Sequence, residues 1–142
     1  MLPIIPYAGR KTLLDLVGVN LCQFPALARV HLFVAPVSVT DSTVLTDFTE
    51  STNPGLFGQA LSAPDFLGPD SAGRYLLQYA PNNFVAAAVP LPVVAYGFWV
   101  DATDPVSFVR SLIQCQQFDT PFAFLAVGDT LPVVVQLGLT QC

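Results

Sequence analysis

Apolar and polar residues alternate over most of this chain, which is the pattern of β-strands with one buried face. Residues 28–35 show it most clearly, because every second residue is apolar and Pro36 ends the run. We expect His31 to face solvent on the outer side of this strand, together with Arg29. The opposite side, facing a core, would carry Val30, Leu32 and Val34.

A stretch of 26 residues between Arg74 and Asp101 carries no charge. Prolines at positions 81, 90 and 92 interrupt it, and each would break a membrane-spanning helix. The stretch therefore predicts two or three strands. Both faces of the last one, residues 93–101, are apolar, so we expect this strand in the centre of a sheet. Because a small domain has little with which to cover both faces, we expect another protein chain to supply the cover.

The remaining segments predict an all-β fold, an antiparallel β-sandwich of the jelly-roll or immunoglobulin-like kind, in a single domain of residues 1–142. Residues 1–22 would form an N-terminal arm with a short helix, in which Leu13, Leu16 and Val17 share one side. Residues 37–56 are polar and predict a long excursion, which Phe48 would anchor to the domain. The further strands are expected at 57–61, 74–80, 84–89, 108–115, 122–127 and 131–139, with turns that include 63–71.

The composition favours an assembly subunit. The chain has 53% hydrophobic and 11% charged residues, against roughly 25% charged in an ordinary soluble domain. So few charges leave apolar surface that promotes association. The net charge of −5 argues against nucleic acid, which needs clustered basic residues, and against an anionic membrane surface. The opening residues are too short and too proline-rich for a secretion signal, so we expect synthesis in the cytoplasm.

Residues that could support catalysis or bind a metal are sparse. The only histidine, His31, has no cysteine motif around it, and the three cysteines are too far apart for a zinc site. We expect free thiols rather than a disulfide. The aspartates, Asp101 and Asp129 among them, mostly fall in predicted turns, where they cap their own backbone. The sequence therefore predicts no catalytic residue, no cofactor and no metal.

Aromatic residues are the candidates for a contact surface. Most of them recur at every second position of apolar strands, which is typical of core packing or of a subunit interface. The alternative is a sugar-stacking platform, which a shielded Trp99 would remove. The candidates for the interface are Phe48, Tyr75, Tyr79, Phe84, Tyr96, Phe98 and Trp99.

Several short motifs occur in an order that resembles a known group of viral proteins. In chain order they are G-x-x-x-L-L-D-L from residue 9, H-L-F at 31–33, T-D-F-T-E at 46–50, V-A-Y-G-F-W-V at 94–100 and G-D-T-L at 128–131. This order resembles small β-sandwich proteins encoded by tailed bacteriophages and environmental viral sequences. The chain departs from that pattern in its prolines within 81–92 and in residues 107–112.

The resemblance implies a non-enzymatic structural protein of a virion, made in the host cytoplasm, that decorates or cements a capsid. Its expected partners are the major capsid protein or other virion proteins, and further copies of itself, as a trimer. Nucleic acid and membranes are not expected partners. The alternative is a tail or fibre component, or a β-sandwich module that binds carbohydrate or a receptor.

Overall fold

The computed structural model describes residues 28–62, 64–69, 75–103, 108 and 110–139. The expected N-terminal arm and helix lie outside the described residues. Within those ranges the chain is mostly β, and its helical segments are two short 3₁₀ turns, Leu45–Asp47 and Pro54–Leu56. The all-β prediction is confirmed. No helix in the same ranges has the length and apolarity to span a bilayer.

The described strands pair antiparallel in three sheets. The sheets have the strand orders β2-β1-β6-β7, β3-β4-β9 and β5-β8. Strand β6 lies inside the four-stranded sheet, as its two apolar faces predicted. In chain order the strands are β1 Ala28–Phe33, β2 Gln59–Ala60, β3 Pro64–Pro69, β4 Tyr75–Tyr79, β5 Asn82–Val85, β6 Val93–Thr103, β7 Arg110–Phe124, β8 Thr130–Val133 and β9 Gln136–Leu139.

The apolar core lies on one face of the four-stranded sheet, which we call the core face. Strand β1 contributes Val30 and Leu32, as its alternation predicted, and β6 contributes further residues. Side chains from the other strands complete the same cluster, so the sheets share one core. The cluster contains Val30, Leu32, Phe98, Val100, Tyr79, Phe84, Val133 and Val135 among others.

One predicted turn is a strand instead. Residues 63–71 read as turn chemistry, but Pro64–Pro69 forms β3, which pairs with β4. Strand β3 lies at the edge of its sheet, where the missing N–H of a proline can face away from the neighbouring strand. The prolines at both ends of β3 are therefore compatible with pairing, and the turn prediction is wrong for this part.

Register shifts account for other differences between prediction and structure. The expected strands 108–115 and 122–127 merge into one strand, β7. Its pairing with β6 shifts along the way, since Phe122 of β7 pairs with Ala95 whereas Gln117 pairs with Gly97. The shift changes which side chains of β6 share a face, since Ala95 lies in the same core cluster as Phe98. Conversely, the expected strand 131–139 divides into β8 and β9, which pair with different strands.

Candidate functional site

The second face of the four-stranded sheet, which we call the strap face, buries polar and aromatic side chains. Phe33 is 0%, His31 5%, Trp99 4% and Asp101 2% exposed. The expectation that His31 faces solvent is therefore wrong. The cover comes from residues 34–58, which leave β1, fold back over this face and are called the strap here. The second cover for β6 is thus part of the same chain and not, as expected, another chain.

Aromatic stacking fixes the strap to the sheet. The ring of Phe48 stacks on Trp99, with centroids 4.8 Å apart, and lies 5.2 Å from the ring of Phe33. The prediction that Phe48 anchors this excursion is confirmed. Trp99 also stacks with His31, its neighbour across the β1–β6 pair, at 4.6 Å and nearly parallel. Gly97 lies opposite Phe33, and an added Cβ there would overlap the Phe33 ring.

Hydrogen bonds to backbone groups hold the strap near its beginning and towards its end. Near its beginning, the N–H of Val34 donates to the carbonyl of Thr49 at 2.8 Å. Near its end, the side chain of Asn53 donates to the carbonyl of Ala88 at 2.6 Å and accepts from the N–H of Ala87 at 3.2 Å. The buried amide of Asn53 therefore ties the strap to the segment that follows β5.

His31 lies between two carboxylates that come from different elements. Its Nδ1 is 2.9 Å from Oε1 of Glu50, in the strap. Its Nε2 is 3.0 Å from Oδ2 of Asp101, on β6, which is close enough for an ion pair although the ring nitrogen is poorly aligned for a hydrogen bond. Oε1 of Glu50 also accepts from the N–H of Gly58 at 2.6 Å. We call His31, Glu50 and Asp101 the clamp, because together they join the strap to β1 and β6.

Asp101 is the most enclosed charge of the clamp. Its Oδ2 accepts from the indole N–H of Trp99 at 3.2 Å and from the guanidinium of Arg110 on β7. Asp101 was expected both at the end of the strand 93–101 and among the turn aspartates; it lies within β6, so the strand prediction is confirmed and the turn prediction is wrong. Asp129 shows the contrast: it caps its own turn by accepting from the N–H groups of Leu125 and Ala126 at 2.8 and 3.0 Å, as predicted.

The charges of the clamp support one another. Burial of the His31 ring lowers its pKa, but its close contacts with the carboxylates of Asp101 and Glu50 outweigh burial and raise the pKa above its ordinary value of 6.5. Burial raises the pKa of Asp101, but His31 and Arg110 outweigh it and hold that pKa below 3.8. The contacts of the clamp therefore favour an imidazolium between two carboxylates, stacked on Trp99.

The geometry separates His31 from the described thiol. Cys115 on β7 is free and pairs across the sheet with Trp99, so β6 runs between Cys115 and His31. Two strand spacings put these backbones roughly 10 Å apart. Burial raises the pKa of the Cys115 thiol above its ordinary 9.0, the opposite of an activated nucleophile. Across the described ranges, no group of three or more His, Cys, Asp or Glu residues is placed to hold a metal ion.

Most of the residues expected at an interface are enclosed by the single chain. Tyr79 and Phe84 are 0% exposed, and Phe98 and Trp99 are 4% exposed. A partner would have to bind elsewhere, and Trp99 offers no open platform for a sugar. Of the other candidates, Phe48 and Tyr96 are partly buried and Tyr75 lies in β4.

The clamp was not predicted from the sequence. The sequence offered one indication of it, because Glu50 is the only glutamate and His31 the only histidine of the chain. The clamp has the geometry of a charge-dependent fastening for a loop. The chain matches no protein-family model, no curated protein and no solved structure.

Proposed function

We propose that this chain is a non-enzymatic structural protein of a virion, which decorates or cements the capsid of a tailed bacteriophage through contacts between subunits. The order of short motifs supports the virion context. The long edge strand β7 supports the assembly role, and the proposal depends on it. We also propose that the sheets stack as a two-layer β-sandwich, because β1, β6, β5 and β8 contribute to one core.

Strand β7 has an edge that suits pairing with another subunit. It contains 15 residues and, among the described strands, pairs with β6 alone. Its outer N–H and C=O groups can therefore accept an added strand. Edge strands that resist pairing commonly carry charges and prolines, whereas β7 has two charged residues, Arg110 and Asp119, and a proline, Pro121, near its end. The part before Pro121 is thus the favoured pairing segment.

Large apolar side chains flank this edge. Phe108, just before β7, is 77% exposed, and Ile113 within it is 45% exposed. Leu125, just after β7, is 69% exposed. Strap residues 43–46 form a shallow groove of about 410 Å³ with Arg110 and Leu112 of β7. An exposed aromatic and a mainly apolar groove in the region of the same edge strand are features that interface anchors use.

A double substitution tests the assembly role. Phe108→Ser combined with Ile113→Lys removes the aromatic anchor and adds a charge to the edge, so we expect self-association to weaken by at least about tenfold. Sedimentation velocity over a concentration series measures this, and the molar mass of the assembly tests the expected trimer. Phe57→Ser is the matched control, because Phe57 is 50% exposed but precedes β2, at the other edge of the sheet.

A wild-type chain that remains monomeric at its highest soluble concentration would contradict the assembly role. Equal loss of association in Phe57→Ser would place the contact away from β7. The virion context has its own measurement: mass spectrometry of purified particles should detect the chain at a fixed copy number per particle. Recovery from the soluble host fraction alone would contradict a virion protein.

A further inference from the structure

The clamp joins the strap to the sheet through one titratable ring. His31 lies on β1, Glu50 lies in the strap, and Asp101 lies on β6, so their contacts are what connect these three elements electrostatically. Gly58, near the end of the strap, passes so close to the imidazole that an added Cβ would overlap the ring. The strap therefore closes directly over the histidine.

The contacts of the ring fit its charged form. Only an imidazolium carries a hydrogen on both nitrogens, and both nitrogens of His31 face a carboxylate oxygen. A neutral ring would present a lone pair to either Glu50 or Asp101. Because the ring is 5% exposed, water cannot easily relieve that repulsion. The charged ring also stacks on Trp99, a contact that favours a cation.

The groups around the ring leave His31 as the one that responds near neutral pH. From β7, Arg110 faces Asp101 and keeps it ionised. From β1, Arg29 donates to the carbonyl of Gly58. Cys115, opposite Trp99, has its pKa raised above 9.0. Between the pKa of Asp101, below 3.8, and that of Cys115, above 9.0, the group of this set that changes charge is the imidazole of His31.

We propose that His31 is a pH-sensitive latch: loss of its proton releases the strap from the sheet and uncovers Phe33 and Trp99. The core cluster contains none of the clamp residues, but it does contain Leu56 near the end of the strap. Release therefore means that the part of the strap carrying Phe48 and Glu50 lifts from the sheet while Leu56 stays in the core. The released state exposes an aromatic surface of the four-stranded sheet next to β7, so a partner could reach this face only after release. The latch does not depend on the virion context.

The single tryptophan of the chain provides a direct measurement. Trp99 is 4% exposed and lies under Phe48 of the strap, so acrylamide quenching of its fluorescence reports strap opening. We expect quenching of the full chain to rise above pH 6.5, with the opening equilibrium increasing by up to about tenfold per pH unit until the folded pKa of His31 is passed. Far-UV circular dichroism should stay unchanged over the same range.

A second readout uses the only glutamate. Endoproteinase Glu-C cuts after Glu50 in the strap, so its cleavage rate, normalised to a peptide substrate at each pH, should rise in parallel with quenching. Cleavage that follows quenching supports strap release. Cleavage that stays constant while quenching rises would contradict it.

Three variants separate the latch from general loosening. His31→Gln cannot titrate, so its quenching should be independent of pH from about pH 5.5 to about pH 9. Glu50→Gln removes one carboxylate at a partly exposed position, so the rise should shift to lower pH. Cys115→Ser is the control that tests the thiol and should retain the wild-type profile.

The proposal fails if wild-type quenching is flat between about pH 5.5 and about pH 9. It also fails if His31→Gln shows the wild-type rise, or if quenching rises only together with loss of far-UV dichroism. Should His31→Gln not fold, Glu50→Gln decides the matter, because an unshifted midpoint in that variant contradicts the role of the clamp.

Discussion

The two faces of the four-stranded sheet are covered in different ways. On the core face, Leu32 and Val100 pack against apolar residues of other strands and are fully buried. On the strap face, their neighbours His31 and Trp99 are almost as buried, but a loop covers them through ring stacking and ion pairs. Burial is therefore similar on the two faces, while the forces that maintain it respond differently to pH.

Because of this difference, one face of the sheet can stabilise the fold while the other responds to pH. Apolar burial is non-directional and does not depend on protonation. A buried ion pair depends on the charge of both partners, and removing one charge leaves the other uncompensated. The core face can therefore hold the fold while the strap face changes state. The following substitutions test this division, beginning with the largest expected effect.

The largest effect is expected on the core face. Leu32→Ala removes a fully buried side chain from the core cluster, so we expect the unfolding free energy to fall by about 2–5 kcal/mol. The loss should be the same at about pH 6 and at about pH 9, since no titratable group is involved. Urea denaturation at both pH values measures it. A strongly pH-dependent loss would show that the two faces are coupled.

The next effect is expected at Asp101. Asp101→Asn leaves the charges of His31 and Arg110 without their buried carboxylate, so we expect a loss of about 1.5–3 kcal/mol at about pH 6. Urea denaturation of the variant and of the wild type, compared at that pH, gives this difference. An equal loss at a pH above the wild-type rise in Trp99 quenching, where His31 has lost its proton, would contradict the clamp.

The pH dependence of the wild type has a defined sign. The raised pKa of His31 contributes stability below pH 6.5 that is lost as pH rises through the folded value. The lowered pKa of Asp101 contributes stability above pH 3.8 that is lost as pH falls through its folded value. Stability should therefore be greatest between these limits, and Asp101→Asn should lack the acid-side loss. Thermal unfolding across pH measures both sides.

A comparison of two glycines tests how closely the strap closes. Gly58→Ala places a methyl group against the His31 ring, so we expect a loss of about 1–3 kcal/mol and greater quenching of Trp99. Gly128→Ala is the control: its Cβ meets no neighbour, and only the positive φ of 98° opposes it. The control should cost about 1 kcal/mol and leave quenching unchanged. Greater quenching in both would indicate general loosening.

The smallest effect is expected at the rim of the clamp. The Arg110 side chain is 54% exposed, so its pair with Asp101 is weakened by solvent and salt. Arg110→Gln should lower the unfolding free energy by less than about 1 kcal/mol. Urea denaturation at low and high salt measures it, and a loss that persists unchanged at high salt would contradict solvent screening.

Local pattern predicted much of the fold because alternation is a local property. The alternation around Val30 and Leu32 gave β1 and its core side correctly, and the apolar run at 93–101 gave the central strand. Phe48 stood out as an apolar residue in a polar excursion, and its anchoring role is confirmed. Each of these inferences needed only a few neighbouring residues.

The errors share a different cause, which is long-range pairing. His31 was placed in solvent because alternation assigns a side and does not identify what covers it. The segments 108–115 and 122–127 were predicted as separate strands because their common pairing with β6, which shifts between Ala95 and Gly97, is not visible in the sequence. Prolines at 64 and 69 suggested a turn because an edge position is invisible in the sequence.

The sequence by itself determined that this chain forms β-strands and that its apolar residues far outnumber its charged ones. Both features can be seen in the sequence because alternation depends only on residues close together in the chain and composition requires only counting. Only the tertiary structure decided that the strap covers the second face of the sheet. This cover places Glu50 and Asp101, which are far apart in sequence, on the two sides of His31. The physical reason is that the charge state of a buried group is set by its neighbours in space, which strand register and loop closure select.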